Sequence, residues 1–155
     1  MSNAKINNEV ELTYPDTFRE MGEEELSKYF GKPDNRWGVH DGDSHILLSV
    51  SWTKPGFFRS MGDAETVIIG AESRLHRSLL NYQRVSSYKL KIEKIKANGI
   101  RFEYRSNDSV VVQLCDLIAF KYKKKFYSVY FISRKVDAVE SRRALEEIVK
   151  SIKLS

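Results

Sequence analysis

Two adjacent runs late in the sequence constrain the fold more than anything else in it. Residues 110–121 and 126–134 are apolar on both of their alternating sets of positions. In the first run Val112, Leu114 and Ile118 fall on one side, and Val111, Leu117 and Ala119 on the other. In the second, Phe126, Tyr130 and Ile132 alternate with Tyr127, Val129 and Phe131. A strand with one face in water alternates apolar with polar side chains, whereas a strand covered on both faces does not. Lys123-Lys124-Lys125 joins the two runs and is short enough for an antiparallel connection. The pair therefore predicts an α+β chain, a three-layer α/β/α sandwich around a mostly antiparallel sheet, with helices on both faces.

The remaining segments supply partners for that sheet. Residues 12–14 read as a short strand stopped by Pro15-Asp16, and residues 23–30 as a helix whose leading Glu23, Glu24 and Glu25 complement its dipole. Residues 36–40 and 45–53 read as a hairpin around Asp41-Gly42-Asp43, and residues 55–62 as a loop. Val67, Ala71, Leu75 and Leu79 recur at helical spacing, which predicts a helix over 63–81. Strands are expected over 88–96 and 100–105, with a turn at Asn98-Gly99. A last helix starts near Asp137, with Glu140 three residues on as a capping box, and presents Leu145, Ile148, Val149 and Ile152. No repeat or linker divides the chain. Residues 1–11 read as a flexible N-terminal segment, Met1-Ser2-Asn3-Ala4 being in part an expression remnant, and residues 12–155 as one domain.

Composition excludes several classes. With 41% hydrophobic and 30% charged residues over 155 positions, the chain is globular, not disordered. No apolar run approaches the roughly 18 residues of a membrane span, and the N-terminus lacks the apolar stretch of a signal peptide. The lone Cys115 has no disulfide partner within the chain and sits in an apolar run, as a small core residue of a reducing compartment does. The expected location is the cytoplasm. A net charge of +5 hides an asymmetry: residues 1–45 carry an acidic excess and residues 46–155 a basic one. Separate charged faces favour steering of a charged partner or head-to-tail self-association, so a homo-oligomer stays open.

A continuous stretch carries a further signal: Tyr14-Pro15-Asp16, Met21 with Glu23-Glu24-Glu25-Leu26, Trp37-Gly38, and His45 through Trp52. At the far end stand Phe126-Tyr127 and Leu145-Glu146-Glu147-Ile148-Val149-Lys150-Ser151-Ile152. In this order the chain resembles the Mog/PsbP-like superfamily, named for a Ran-binding nuclear transport factor and a photosystem II extrinsic subunit. It looks closer to small bacterial members without an assigned activity. The resemblance covers nearly everything from Leu12 onward, but as a pattern, with no catalytic signature. It implies the three-layer fold and a non-enzymatic binding or adaptor role, with an unidentified protein partner.

Three groups are candidates for contact. Arg36, Trp37, His40 and Trp52 gather on the predicted hairpin, where an exposed aromatic anchor with polar residues around it would bind a protein. The same indoles with Arg36 at a pocket mouth could take an anion or aromatic ligand, and the simpler alternative is that they fill the core. His40, Asp41, Asp43 and His45 have ligand chemistry, but their spacing matches no established metal site, and a hairpin tip collects Asp and Gly for turn geometry. Lys121, Lys123, Lys124 and Lys125, with nearby tyrosines, could follow a nucleic-acid backbone or could be a solvated edge. No phosphate-cradling glycine loop, nucleophile elbow or zinc-protease helix is present, so neither an enzyme nor a cofactor is expected.

Overall fold

The computed structural model describes residues 1–53, 62–105 and 110–155. Its strands are β1 (Ser2–Ile6), β2 (Val10–Tyr14), β3 (Arg19–Glu20), β4 (Arg36–Asp41), β5 (Ile46–Trp52), β6 (Leu80–Ile92), β7 (Ile95–Arg105), β8 (Val112–Tyr122), β9 (Lys125–Arg134) and β10 (Lys153–Leu154). The helices are α1 (Glu23–Phe30), α2 (Ala64–Ser78) and α3 (Ala138–Lys150). Seven strands form one sheet in the order β3-β4-β5-β9-β8-β7-β6, and every described pairing in it is antiparallel. The two doubly apolar runs lie inside this sheet, as their sequence requires. Val129 and Phe131 enter one core, Cys115, Leu117, Ala119 and Ile132 the other.

The α+β class and the mostly antiparallel sheet agree with the sequence, while the covering layers differ in one respect. One face carries α2 through Ala64 and Ile68, with Phe30 of α1 at its border. The opposite face is shared between α3, through Leu145 and Ile148, and a small sheet of order β1-β2-β10. That small sheet is why residues 1–11 are not a loose tail. Residues 2–6 pair with residues 10–14, and Asn7 and Asn8 turn the chain at φ 51° and 56°, a region Asn tolerates better than most residues. Ile6, Val10 and Leu12 are then fully enclosed.

Several predicted boundaries move for identifiable reasons. Helix α2 is capped by Asp63, whose Oδ1 accepts from the Thr66 N–H at 3.1 Å, but it stops at Ser78; Leu80 and Asn81 already belong to β6. The turn between β6 and β7 falls at Glu93-Lys94, with Glu93 at φ 54°, and Asn98 and Gly99 lie within β7. The capping box before α3 does not form. Asp137 instead pairs with Arg134 at 2.9 Å, and a 3-10 turn leads into the helix. The predicted loop over 55–62 lies outside the described residues except for Gly62.

Candidate functional site

The chemically most demanding residue is Asp116, in the middle of β8 and fully buried. A carboxylate withdrawn from water must be paired and hydrogen-bonded or it destabilises the fold. Four bonds from three residues do this. Arg142 of α3 approaches with both terminal nitrogens, at 2.5 and 3.0 Å. Arg101, the cross-strand neighbour on β7, reaches it at 3.4 Å, and the Tyr88 hydroxyl of β6 donates at 2.5 Å. Burial, then the charge and hydrogen bond of Asp116, push the Tyr88 phenol well above its ordinary pKa, so it stays a donor.

Two irregularities bring Tyr88 there. Around Arg84 and Ser86 the ladder with β7 skips Val85, a bulged and half-exposed residue. A one-residue insertion flips every later side chain to the other face. Tyr82, before the bulge, accordingly packs on Phe102 beneath α2, while Tyr88, after it, faces α3. The ring of Tyr88 then settles on its cross-strand partner Gly99, which has no side chain to obstruct it.

Above this cluster runs a groove of about 540 Å³ between α3 and the β6–β7 ribbon. Its walls are apolar, from Leu90, Ile118, Val149 and Ile152, and Arg101 and Arg142 stand beside the buried carboxylate. Lys91 and Lys150 line it with Glu93 and Glu146, and Glu93 is engaged by the Leu154 N–H at 2.8 Å. Two guanidinium groups share one aspartate, so the groove keeps a positive bias around an apolar wall. Such a surface can hold an amphipathic, acidic segment.

The hairpin residues do not converge. Antiparallel pairing of β4 with β5 puts Arg36 and His40 on the face of α1 and α2, and Trp37 and Trp52 on the face of α3. Trp37 packs 5.7 Å from Tyr14 and donates its indole N–H to Glu20 at 3.1 Å; Trp52 lies 6.4 Å from Tyr127. Both indoles border the main core and are half-buried. His40 pairs with Glu25 of α1 at 3.1 Å, and Asp41 serves the turn by accepting from the Asp43 N–H at 3.0 Å.

The lysine tip is largely engaged inside the molecule. Lys125 pairs with the buried Glu9 at 2.9 Å, and Lys123 sits 3.8 Å from the same carboxylate while donating to the Ser155 carbonyl at 2.8 Å. Tyr127 and Asn7 complete that cluster. Lys121 lies 5.6 Å from the Phe126 ring, and Lys124 occupies the turn at φ 64°. At Cys115, burial first and the neighbouring Asp116 charge second raise the thiol well above its usual pKa, as for an inert core cysteine.

The Asp116 cluster was not assembled from the sequence, because its partners lie 15 to 28 positions away. One signal was visible. A single acid between Cys115 and Leu117 in a doubly buried strand must have a buried counter-charge.

No protein-family model matches the sequence, and no curated protein does either. Solved structures match its fold. Cyanobacterial PsbP from Synechocystis superposes with a TM-score of 0.69 at 8% identity, over 99% of this chain and 92% of that one. The Ran-binding protein Mog1p of Saccharomyces cerevisiae gives 0.63 at 9% identity, over 99% and 96%. A Bacteroides thetaiotaomicron structure gives 0.64 at 10% identity over 94% of this chain, which spans 45% of that protein's length. The chain has the Mog1/PsbP-like fold.

Proposed function

We propose that the protein is a non-enzymatic binding module whose partner is another protein, held in the groove between α3 and the β6–β7 ribbon. The observation that carries this reading is the groove's construction: an apolar wall fixed above a buried ion cluster, with Lys91, Lys150, Arg101 and Arg142 against Glu93 and Glu146. The occupant that complements it is a protein segment with apolar side chains for Leu90, Val149 and Ile152 and carboxylates for the surplus cations. The likeness to a Ran-binding protein supports protein binding as a use of the fold, and says nothing of which protein binds here. The engagement of Lys123 and Lys125 by Glu9 weighs against a nucleic-acid backbone at that tip.

The test is retention of a partner from lysate of the source organism after nuclease treatment, comparing wild type with Lys91→Glu/Lys150→Glu and with Val149→Arg. A saturable protein lost from both groove variants but kept by Lys124→Glu fits the proposal. Equal retention by all variants, or bound material that vanishes with nuclease, would overturn it.

A further inference from the structure

On the sheet face opposite that groove, three neighbouring strands place polar side chains in one row where the core should be apolar. Arg36 on β4 is the cross-strand partner of Ser51 on β5, and Ser51 is the partner of Ser128 on β9. Directly paired antiparallel residues point to the same face, so all three lie beneath α2. Here α2 presents the small Ala71 together with Arg74 and, one turn on, Ser78. These residues line a cavity of about 200 Å³ that opens to solvent beside the exposed Arg74 and Ser78 and is walled by Val67, Leu75, Leu117 and Tyr130.

Arg36 differs from the other cations that point inward. Arg101 and Arg142 have Asp116, and Lys125 has Glu9. Among the described residues no carboxylate pairs with Arg36, and none lines the cavity. Its guanidinium carbon lies 4.8 Å from the Phe30 ring centre, and Nη1 donates to Ser49 Oγ at 2.9 Å. Its Nε is buried and has no hydrogen-bond partner among the described residues. A desolvated guanidinium with an orphaned N–H is costly unless an acceptor carrying negative charge completes it. Arg74, the second cation on the cavity, doubles the positive charge that such an acceptor would meet.

We propose that this cavity binds a small tetrahedral oxyanion, phosphate or sulfate, between Arg36 and Arg74, with the Ser51 and Ser128 hydroxyls as further donors. The volume suits a small ion: pockets for organic ligands run to roughly 300–1,000 Å³, and this one has room for a single oxyanion. Arginine suits the task because its planar donors match two oxygens at once. The site is independent of the α3 groove, on the other side of the sheet.

The experiment is a thermal-unfolding titration with inorganic phosphate, and separately with sulfate and acetate, at constant ionic strength set by chloride. A ligand specific for the folded state should raise the midpoint with the logarithm of its concentration once that exceeds Kd, by about 5–10 °C at a hundredfold excess. The rise should disappear in Arg36→Gln and Arg74→Gln and persist in Lys124→Gln, an exposed turn residue away from the cavity. Since Arg36→Gln also removes a buried charge without a counter-ion, it should melt no lower than wild type in chloride alone. A rise that is linear in salt concentration, or that both arginine variants share, would be exclusion of the salt from the protein surface and overturns the site. A response to acetate alone overturns the tetrahedral assignment. Should Arg36→Gln fail to fold, Arg74→Gln still decides.

Discussion

The ring of Tyr88 fills the space that a side chain at Gly99 would need. A Cβ at position 99 would stand 2.4 Å from Tyr88 Cε2, 2.5 Å from Cζ and 2.9 Å from the hydroxyl oxygen. The requirement is for room rather than for a special backbone angle, since Gly99 is not among the positive-φ residues. Seated there, the tyrosine reaches Asp116 from the edge strand β6. Gly99→Ala should push the ring away and cost about 2 kcal/mol, from overpacking plus the broken hydrogen bond. Tyr88→Phe removes only the hydroxyl and should cost about 1–3 kcal/mol, leaving Asp116 short of one donor. Urea denaturation of both variants and of the double variant measures the coupling. Full additivity would mean that the two residues do not act through one contact.

Asp116 makes a sharper case, because removing its charge leaves two arginines facing each other. Asp116→Asn should destabilise by about 3–5 kcal/mol, the usual cost of breaking a buried ion pair from one side. Replacing Asp116 by Leu together with Arg101 and Arg142 by Met should cost clearly less, since no uncompensated charge remains. Equilibrium unfolding of the two proteins ranks them, and the opposite ranking would mean that the cluster contributes net stability of its own.

How far the sequence was readable follows from which interactions are local. The doubly apolar β8 and β9 announced a sheet covered on both sides, and the boundaries of α1 came out unchanged because its acidic first turn and Gly31 mark its ends. The bulge at Val85 left no such mark. With it went the side on which Tyr88 emerges, and so the whole Asp116 cluster. Asn98-Gly99 has turn composition, yet Gly99 is there to admit a ring from the next strand, a purpose that only pairing reveals. On the hairpin, residue types suggested one site for Arg36, Trp37, His40 and Trp52. Strand alternation divides them into two pairs on opposite faces.

Trp37 packs against the main core, and its replacement should therefore act on stability. Its ring packs on Tyr14 and its N–H is held by Glu20, so Trp37→Ala should cost about 3 kcal/mol through lost packing. Partner retention by the fraction that stays folded should be unchanged. Circular dichroism melts paired with the lysate assay separate the two effects. A fully stable variant that no longer binds would return the hairpin to the position of binding surface.

Glu9 gives the fold a pH dependence with a definite sign. Burial raises its pKa, but hydrogen bonds from Tyr127 and Lys125 and the charges of Lys125 and Lys123 outweigh this, and the net shift is downward. A carboxylate with a depressed folded-state pKa binds its proton more tightly in the unfolded chain. Its stabilising contribution is therefore fully present above the unfolded value of about 4.3 and is lost as pH falls through the lower folded value. The contact fastens the turn between β1 and β2 to the β8–β9 tip, so its loss should first loosen the small sheet. Glu9→Gln removes the titration. Its stability should lie below wild type at neutral pH, and the gap should close as both are acidified below about pH 4. Urea midpoints across that range test it; a gap that stays constant on acidification would show that Glu9 acts by packing and not by charge.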